Sequence, residues 1–407
     1  MTFKTKRVGD VIAEIAMGPF GSNIKVDCFV PSGVPVLNGS NLTGFSLTEN
    51  TFNYVTTEKA ASLKKAIASR GDIVITHRGT LGQIVYIPAN SNYEKYVISQ
   101  SQFRVRCKES AMLPEFMVYF FHTRDGRHKL LSNSSQVGVP ALARPSTTFQ
   151  ELEIPVPTIT EQRVIVATLS ALDARIALNK KINHHLEQMA QAIFKSWFVD
   201  FEPFDGEMPS DWREGTISDL GNVIGGSTPS KAKPEYYTEH GIAWITPKDL
   251  SVNKNKFIAR GADDITELGL RNSSAKLMPR GTVLFSSRAP IGYIAIASGA
   301  VCTNQGFKSI IPNGSVGTAF IYYFLIEKLQ TIESMASGST FKEVSGTTMK
   351  GIPAIIPDDD TLRRFQEECI PIFEKQELLE KENSHLAEIR DALLPRLMSG
   401  DLSVAEI

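Results

Sequence analysis

The stretch GDIVITHRGTLGQIVYIP, residues 71–88, occurs twice in the chain in related form. It consists of an apolar run, a polar turn and a second apolar run, and it returns as GTVLFSSRAPIGYIAIAS, residues 281–298. Two glycines and one arginine recur at a constant offset of 210 residues: Gly71, Arg78 and Gly82, then Gly281, Arg288 and Gly292. Short β-branched and aromatic runs broken by glycine are typical of strands joined by tight turns. The repeat predicts a hairpin-like unit in each half of the chain, with an arginine at its tip.

The repeat extends beyond this hairpin. SQSQFRVRC (99–107) follows the first copy and TNQGFKSII (303–311) follows the second. Each half then has a Gly/Ser/Thr-rich loop that runs into a proline-ended strand, at 134–157 and at 336–357, and closes with a long charged helical segment. Self-similarity of this kind indicates a duplicated architecture. Because helix-like segments such as 114–131 interrupt the short strands, we expect two mixed α/β (α+β) globular domains.

The duplication also predicts the domain boundaries. We expect a first globular domain at residues 1–157, a central helical spacer at 158–204, a second globular domain at 205–357 and a distal helical spacer at 358–407.

Both helical segments carry one heptad-like row of positions. Steps of four and three residues alternate from 165 to 197 and, 200 residues later, from 365 to 397. Such spacing over this length favours a coiled coil, in which a polar residue in the row costs stability but fixes the register. The predicted coiled-coil residues are Leu172, Ile176, Asn183, Leu186, Ile193, Ile372, Leu379, Asn383, Leu386 and Leu393. If the halves are related by a pseudo-twofold axis, the helices pair antiparallel; the alternative is two amphipathic helices, each packed on its own domain.

The length of these segments has a further implication. About 35 residues at ~1.5 Å per residue give roughly 50 Å, which exceeds one turn of B-DNA at ~34–36 Å. Two similar modules on a rigid spacer would suit the reading of two half-sites on one face of a duplex.

Composition is that of a folded protein of two or three domains, with 407 residues, 42% hydrophobic and 21% charged. The four cysteines lie far apart, which predicts free thiols in a reducing cytosol. The N-terminus lacks the apolar core of a signal peptide, and no window approaches ~18 consecutive apolar residues. We therefore expect a cytoplasmic protein. The net charge of −1 means that a basic surface would be local or supplied by a partner.

Motifs for catalysis are incomplete. GNVIGGST (221–228) nearly matches a phosphate-binding loop, but Ser227 stands where the lysine is required. DFEPF (200–204) faintly resembles a loop of adenine methyltransferases, but it lacks the second proline and no glycine-rich cofactor loop precedes it. The three aspartates at 358–360 suit a helix N-terminus. We expect no catalytic, cofactor-binding or metal-binding residue in this chain.

Polar loops in both halves are suited to a DNA duplex. Glycine-rich turns at 18–25 and 225–233 carry small, hydroxyl and lysine side chains that can contact phosphates. Arginine can read guanine, and glutamine or asparagine can read adenine. The predicted DNA-binding residues are Ser22, Asn23, Lys25, His77, Arg78, Gln100, Gln102, Thr228, Ser230, Lys231, Lys233, Arg288, Asn304, Gln305 and Lys308. The alternative for each arginine is that it only braces its hairpin by bonding carbonyl groups.

Taken in order, these features resemble the specificity subunit of type I restriction–modification systems. The resemblance covers nearly the whole chain, from GPFGSNIK (18–25) and GVPVLNGSNL (33–42) to LLPRLMSGDL (393–402). It implies that each globular domain reads one half of a bipartite DNA target. It also implies that the helices form an antiparallel coiled coil that sets the gap and docks two methyltransferase subunits.

The resemblance also implies partners that carry the chemistry. The methyltransferase subunits bind S-adenosylmethionine and methylate adenine N6, and motor-nuclease subunits use ATP and magnesium. Two alternatives stay open. One is a coiled-coil scaffold whose heads bind proteins, and the other is a specificity subunit of a methylation-only or other phage-defence system.

Overall fold

The computed structural model describes most of the chain, namely residues 3–19, 23–135, 138–338 and 342–403. Its contacts divide the chain into two units. Unit 1 comprises Met1–Arg175 and His385–Ile407, and unit 2 comprises Ile176–Ser384.

Unit 1 contains short strands and helices. Its strands are β1 (Lys4–Arg7), β2 (Ile12–Met17), β3 (Val34–Val36), β4 (Asn53–Val55), β5 (Ile67–Ser69), β6 (Ile73–Thr76), β7 (Ile84–Tyr86), β8 (Lys95–Val97), β9 (Gln102–Cys107), β10 (Ser134–Ser135), β11 (Ala141–Leu142) and β12 (Glu153–Val156). Its helices are α1 (Val8–Val11), α2 (Thr57–Ser62), α3 (Pro114–His122), α4 (Arg124–Leu131), α5 (Pro145–Glu151) and the first part of α6 (Ile159–Phe198), with 3₁₀ turns at Val26–Cys28, Gly39–Asn41 and Lys64–Ala66.

Unit 2 has a matching set of elements. Its strands are β13 (Arg213–Thr216), β14 (Gly221–Gly225), β15 (Tyr237–Thr238), β16 (Ile242–Ile245), β17 (Phe257–Ile258), β18 (Asp263–Ile265), β19 (Val283–Ser287), β20 (Ile291–Ala297), β21 (Val301–Thr303), β22 (Lys308–Pro312) and β23 (Pro353–Ile356). Its helices are the last part of α6, α7 (Ile217–Leu220), α8 (Pro247–Val252), α9 (Glu267–Arg271), α10 (Gly317–Glu327), α11 (Leu329–Ser334), α12 (Gly346–Lys350) and the first part of α13 (Asp359–Ser399), with 3₁₀ turns at Glu202–Phe204 and Pro234–Tyr236. The last part of α13 belongs to unit 1.

The central sheets of the two units share one strand order. It is β2-β9-β6-β7 in unit 1 and β14-β22-β19-β20, extended by β17, in unit 2. The repeated hairpin of residues 71–88 and 281–298 is β6–β7 in one unit and β19–β20 in the other, and both pairs are antiparallel. Parallel pairs occur as well, between β3 and β8 and between β16 and β21. The prediction of two mixed α/β domains from a duplicated unit is therefore confirmed.

Strand β6 is buried along its whole length because both of its faces are covered. Ile73 and Ile75 belong to one core cluster, which includes Phe116 of α3, whereas Val74 belongs to a second cluster with Val97 of the other sheet. Successive side chains of a strand point to opposite faces, so a strand covered on both sides reads as a continuous apolar run. This is the physical reason for the uninterrupted IVIT segment.

The repeated glycines occupy backbone conformations that other residues rarely adopt. Gly71 and Gly82 have φ of 84° and 84°, and Gly281 and Gly292 have φ of 84° and 95°. Glycine reaches positive φ without a steric penalty, since it has no Cβ. The offset of 210 residues is therefore a repeat of turn geometry as well as of sequence.

The long helices pack against each other within each unit. In unit 2, Asn183 Nδ2 donates to Gln376 O and Gln376 Nε2 donates to Asn183 O, both at 3.3 Å. Further along α6, the Phe198 ring lies 5.0 Å from the Phe365 ring. From Asn183 to Phe198 the residue number on α6 rises, while that of the contacting residue on α13 falls from Gln376 to Phe365. The two helices are therefore antiparallel in unit 2. In unit 1, Arg390 Nη1 donates to Asp173 Oδ1 at 2.8 Å.

The predicted coiled-coil residues lie on the covered sides of these helices. Leu172, Leu386 and Leu393 in unit 1 are half-buried. In unit 2, Ile176 and Leu379 are buried, and the remaining predicted residues are half-buried: Asn183, Leu186, Ile193, Ile372 and Asn383. The helices also join the globular cores, because Phe194 and Phe365 belong to the cluster that contains Val283 of β19. The two arrangements considered from the sequence, pairing and packing on the domains, thus coexist.

The predicted domain boundaries and the contact-based units divide the chain differently. Strand β12 ends at Val156 and β23 ends at Ile356, next to the predicted ends of the globular domains. The contact-based units, however, split each long helix between the two units and do not set the helices apart. Among the described residues, no helix is long and apolar enough to cross a bilayer.

Candidate nucleic-acid interface

A groove of about 1020 Å³ in unit 1 brings together segments that are far apart in the sequence. The residues predicted to bind DNA that line it are Asn23, His77, Arg78 and Gln100. They come from the loop after β2, the β6–β7 turn and the loop before β9. Apolar residues such as Ile15 and Met17 also line the groove, and its polar and basic side chains are of the kinds that contact phosphates.

Backbone hydrogen bonds fix the turn that carries Arg78. His77 N donates to Ser101 O at 2.8 Å, and Leu142 N donates to His77 O at 2.8 Å. Gly79 N donates to Pro140 O at 2.8 Å. The position of the turn therefore does not depend on the Arg78 side chain.

Two loops approach each other closely at Gly18. Gly18 N donates to Gln102 O at 2.8 Å. A Cβ at this position would lie 2.0 Å from Ser99 O, so only glycine fits. The glycine that the sequence placed in a phosphate-contacting loop thus serves to hold that loop against the segment of Gln100.

The basic side chains of the groove differ in their partners. Within the described residues, Arg78 is exposed and makes no ion pair or side-chain hydrogen bond, so the alternative that it braces the hairpin through carbonyl groups finds no support there.

Lys64 and Lys65, on the 3₁₀ turn, are exposed and line the same groove. Sequence reasoning missed them, although the KK pair in SLKKAIAS was a visible signal. Glu14, also in the groove, accepts from Arg104 Nη2 at 2.5 Å, which lowers the pKa of Glu14.

His77 is half-buried, and its Nε2 lies 3.2 Å from Gln100 O. Burial lowers the pKa of His77, and the neighbouring charge of Arg78 lowers it further. The imidazole is therefore neutral near pH 7 and acts as a hydrogen-bonding group.

Gln102 is a correction to the predicted site. It is 1% exposed, and its Oε1 accepts from Ser99 N at 2.9 Å. The side chain is turned into the domain because β9 is covered on both faces at this point. The side chain is therefore held inside the domain, where it shapes the loop of Gln100. Lys25 is exposed just before the 3₁₀ turn Val26–Cys28, and Ser22 lies outside the described residues.

Unit 2 repeats this scaffold with other side chains. Ser287 N donates to Gly306 O at 2.8 Å, and Val344 N donates to Ser287 O at 3.0 Å. These bonds match those of His77, so Ser287 corresponds to His77 and Gly306 to Ser101. A Cβ at Gly226 would lie 2.0 Å from Asn304 O, as at Gly18 with Ser99 O. Arg288 and Gln305 therefore correspond to Arg78 and Gln100.

The predicted residues of unit 2 are more strongly paired than those of unit 1. Arg288 Nη1 and Lys308 Nζ each lie 3.3 Å from a carboxylate oxygen of Glu343. Exposed Gln305 accepts a hydrogen bond from Thr228 Oγ1. Asn304 is half-buried, and its Oδ1 accepts from Gly306 N at 2.9 Å, which makes it a residue that shapes the loop.

The glycine-rich loop of unit 2 presents three further predicted residues. Ser230, Lys231 and Lys233 are exposed. Lys233 Nζ donates to Tyr236 OH at 3.0 Å, which raises the pKa of Lys233. Its charge is therefore retained at neutral pH, as a phosphate contact requires.

The sequence profile of the family described as "Type I restriction modification DNA specificity domain" matches residues 2–188 and 209–389. The two matched segments each contain one of the two hairpins. The chain belongs to this family. It carries two copies of a DNA specificity domain, in agreement with the resemblance inferred from its motifs.

Named relatives are specificity subunits. The chain is 40% identical over 195 residues to the type I restriction enzyme MjaIX specificity subunit of Methanocaldococcus jannaschii; the alignment spans 46% of this chain and 45% of that protein, so it covers about half the length of this relative. It is 28% identical over 411 residues to the type I restriction enzyme HindI specificity subunit of Haemophilus influenzae, across 83% of this chain and 88% of that protein.

A solved structure shares the fold. The S subunit of a type I restriction-modification system from M. genitalium superposes with a TM-score of 0.62 at 17% identity, over 98% of this chain and 96% of that chain.

Proposed function

We propose that the chain is the DNA-reading, non-catalytic subunit of a type I restriction–modification complex, and that each unit reads one half of a bipartite target. One observation carries the proposal: the pairs Arg78–Gln100 and Arg288–Gln305 stand at the same scaffold position in two copies of a DNA specificity domain. Arginine and glutamine are side chains that read base edges in the major groove.

Lysine and hydroxyl side chains around these pairs would position the duplex. Lys64 and Lys65 serve unit 1, and Lys231 and Lys233 serve unit 2. Contacts of this kind fix register without reading sequence. Because the basic residues are local and the net charge of the chain is −1, affinity for the duplex would be shared with partner subunits.

The partners follow from the family. Two methyltransferase subunits would dock on the helices and use S-adenosylmethionine to methylate adenine N6. Motor-nuclease subunits, which use ATP and magnesium, would complete the restriction enzyme. Helices α6 and α13 have 40 and 41 residues, roughly 60 Å at ~1.5 Å per residue, and would set the gap between the half-sites. A methylation-only or other phage-defence system would use the chain in the same way.

Duplex binding separates this function from a protein-binding scaffold. We expect the chain, in complex with its cognate methyltransferase subunit, to bind a duplex that contains its target with an affinity that falls steeply as salt rises. Each phosphate contact releases counterions, so six contacts give a slope of about −5 in log K against log salt. The measurement is a salt titration by fluorescence anisotropy, with the methyltransferase subunit alone as the control. Binding that is absent, or that does not change between low and high salt, would favour the scaffold.

A further inference from the structure

A carboxylate lies among the cationic side chains of the unit 2 interface. Glu343 Oε2 is 3.3 Å from Arg288 Nη1, and Glu343 Oε1 is 3.3 Å from Lys308 Nζ. The Glu343 and Arg288 side chains are each 37% exposed, whereas Lys308 is 14% exposed. The carboxylate is therefore held at the surface by one exposed and one largely covered cation.

The backbone fixes Glu343 in this place. Its N donates to Ser337 O at 2.9 Å, and the next residue, Val344, donates to Ser287 O at 3.0 Å. Ser287 immediately precedes Arg288, so the segment of Glu343 is attached directly to the tip of the hairpin. These backbone bonds place the Glu343 side chain beside Arg288 at the tip of the hairpin.

Unit 1 has no carboxylate at this position. Leu142 N bonds to His77 O as Val344 N bonds to Ser287 O, so Ala141 takes the place of Glu343. The contacts of Gly18 and Gly226 match Gln100 with Gln305. Phe103 and Lys308 each lie three residues further on, so Phe103 takes the place of Lys308. The two units therefore share a scaffold but present different chemistry beside the equivalent arginines.

A carboxylate on a DNA-reading surface needs a physical reason, because phosphates repel it. In this cluster the two cations leave a net charge of +1, which removes the repulsion. A carboxylate offers about four lone-pair sites, and the two cations occupy about two of them. The lone pairs that the two cations leave free are exposed and can accept hydrogen bonds from a ligand.

We propose that Glu343 is a specificity-determining residue of unit 2 that accepts a hydrogen bond from the N4 amino group of a cytosine, with Arg288 and Lys308 holding the carboxylate in place. Cytosine is the base that suits a carboxylate, because its major-groove edge presents this donor. Adenine also has an amino group on its major-groove edge, but its N7 acceptor lies beside that group and disfavours a carboxylate. Guanine and thymine present oxygen acceptors where cytosine presents its amino group. The inference rests on the proposed function.

The test uses the whole methyltransferase complex. Cells express the cognate methyltransferase subunit with the wild-type chain, Glu343→Ala or Glu343→Gln, and single-molecule sequencing maps methylated adenines. We expect the wild-type half-site of unit 2 to contain a cytosine that both variants no longer require, with discrimination at that position falling roughly 10- to 100-fold. The other half-site and the gap stay unchanged. Glu333→Ala, at an exposed glutamate of α11, is the matched control.

The outcomes are distinguishable. A target motif that is the same in wild type and in both Glu343 variants would overturn the inference and leave the proposed function intact. Loss of all methylation by both variants in an assembled complex would show that Glu343 only braces Arg288 and Lys308, and would overturn it as well. A wild-type complex that methylates no split motif would overturn the proposed function itself.

Discussion

Arg78→Ala should relax or abolish recognition of one half-site and leave the other half-site unchanged. Arg78 is exposed and makes no ion pair or side-chain hydrogen bond within the described residues, so its charged fork is available to a base. A bidentate arginine–guanine contact is worth about 1–3 kcal/mol, which corresponds to roughly 10- to 100-fold in discrimination. The measurement is the methylated motif and the duplex affinity of the variant complex.

The fold should survive this substitution, because the turn is held by backbone bonds of His77, Gly79 and Leu142. Arg288→Ala at the equivalent position should affect the other half-site. Arg271→Ala, at an exposed residue of α9 that pairs with Glu267 at the surface, should change neither. A variant at Arg78 that fails to assemble, or that methylates the unaltered motif, would rule out the base-reading role.

Lys256→Ala should lower the free energy of unfolding of unit 2 by about 3 kcal/mol, because it removes one partner of a buried ion pair. Lys256 is 7% exposed. Its Nζ donates to Glu187 Oε2 at 2.8 Å, to Tyr323 OH at 3.0 Å and to Gln376 Oε1 at 3.1 Å. It thereby joins the globular domain to both long helices within the unit. Since Glu187 stays partly exposed, we place the loss at the lower end of the range for buried pairs.

The pH dependence of stability gives this prediction a second readout. Burial lowers the pKa of Lys256 to about 8, although the charge of Glu187 acts in the opposite direction. Between about pH 8 and the ordinary value near 10.5, the unfolded chain binds more protons than the folded one. The contribution of Lys256 to the free energy of unfolding therefore increases as pH rises through this window. Lys256→Ala should remove that increase.

Denaturant titrations can follow unit 2 alone, because the three tryptophans of the chain, Trp197, Trp212 and Trp244, all lie in it. Lys276→Ala, at an exposed lysine of the same unit, should stay within about 0.5 kcal/mol of wild type. If both variants unfold at the same urea concentration, Lys256 does not stabilise the unit.

The sequence predicted the duplicated fold well because its signals are local. Positive φ demands glycine at the turns, and burial on both faces demands an apolar run in β6. Both requirements are therefore visible in the sequence, as glycines and apolar runs that recur at a fixed offset. The spacing along α6 and α13 is equally local, and the residues at the predicted positions are buried or half-buried.

The site was harder to predict because its residues meet across long stretches of chain. The hairpin repeats at an offset of 210 residues, but the backbone contacts pair Gln100 with Gln305, an offset of 205. A residue count alone therefore cannot distinguish exposed Gln100 from buried Gln102. Glu343 lies 55 residues after Arg288, and only the fold shows that they meet.

The most direct test of the account is single-molecule methylation sequencing of DNA from cells that express this chain with its cognate methyltransferase subunit. Cells with the methyltransferase subunit alone are the control. We predict a new split motif that requires both subunits, with two short half-sites around a fixed gap and N6-methyladenine in the motif. An assembled complex that adds no such modification would contradict the claim that the two units read DNA for a methyltransferase.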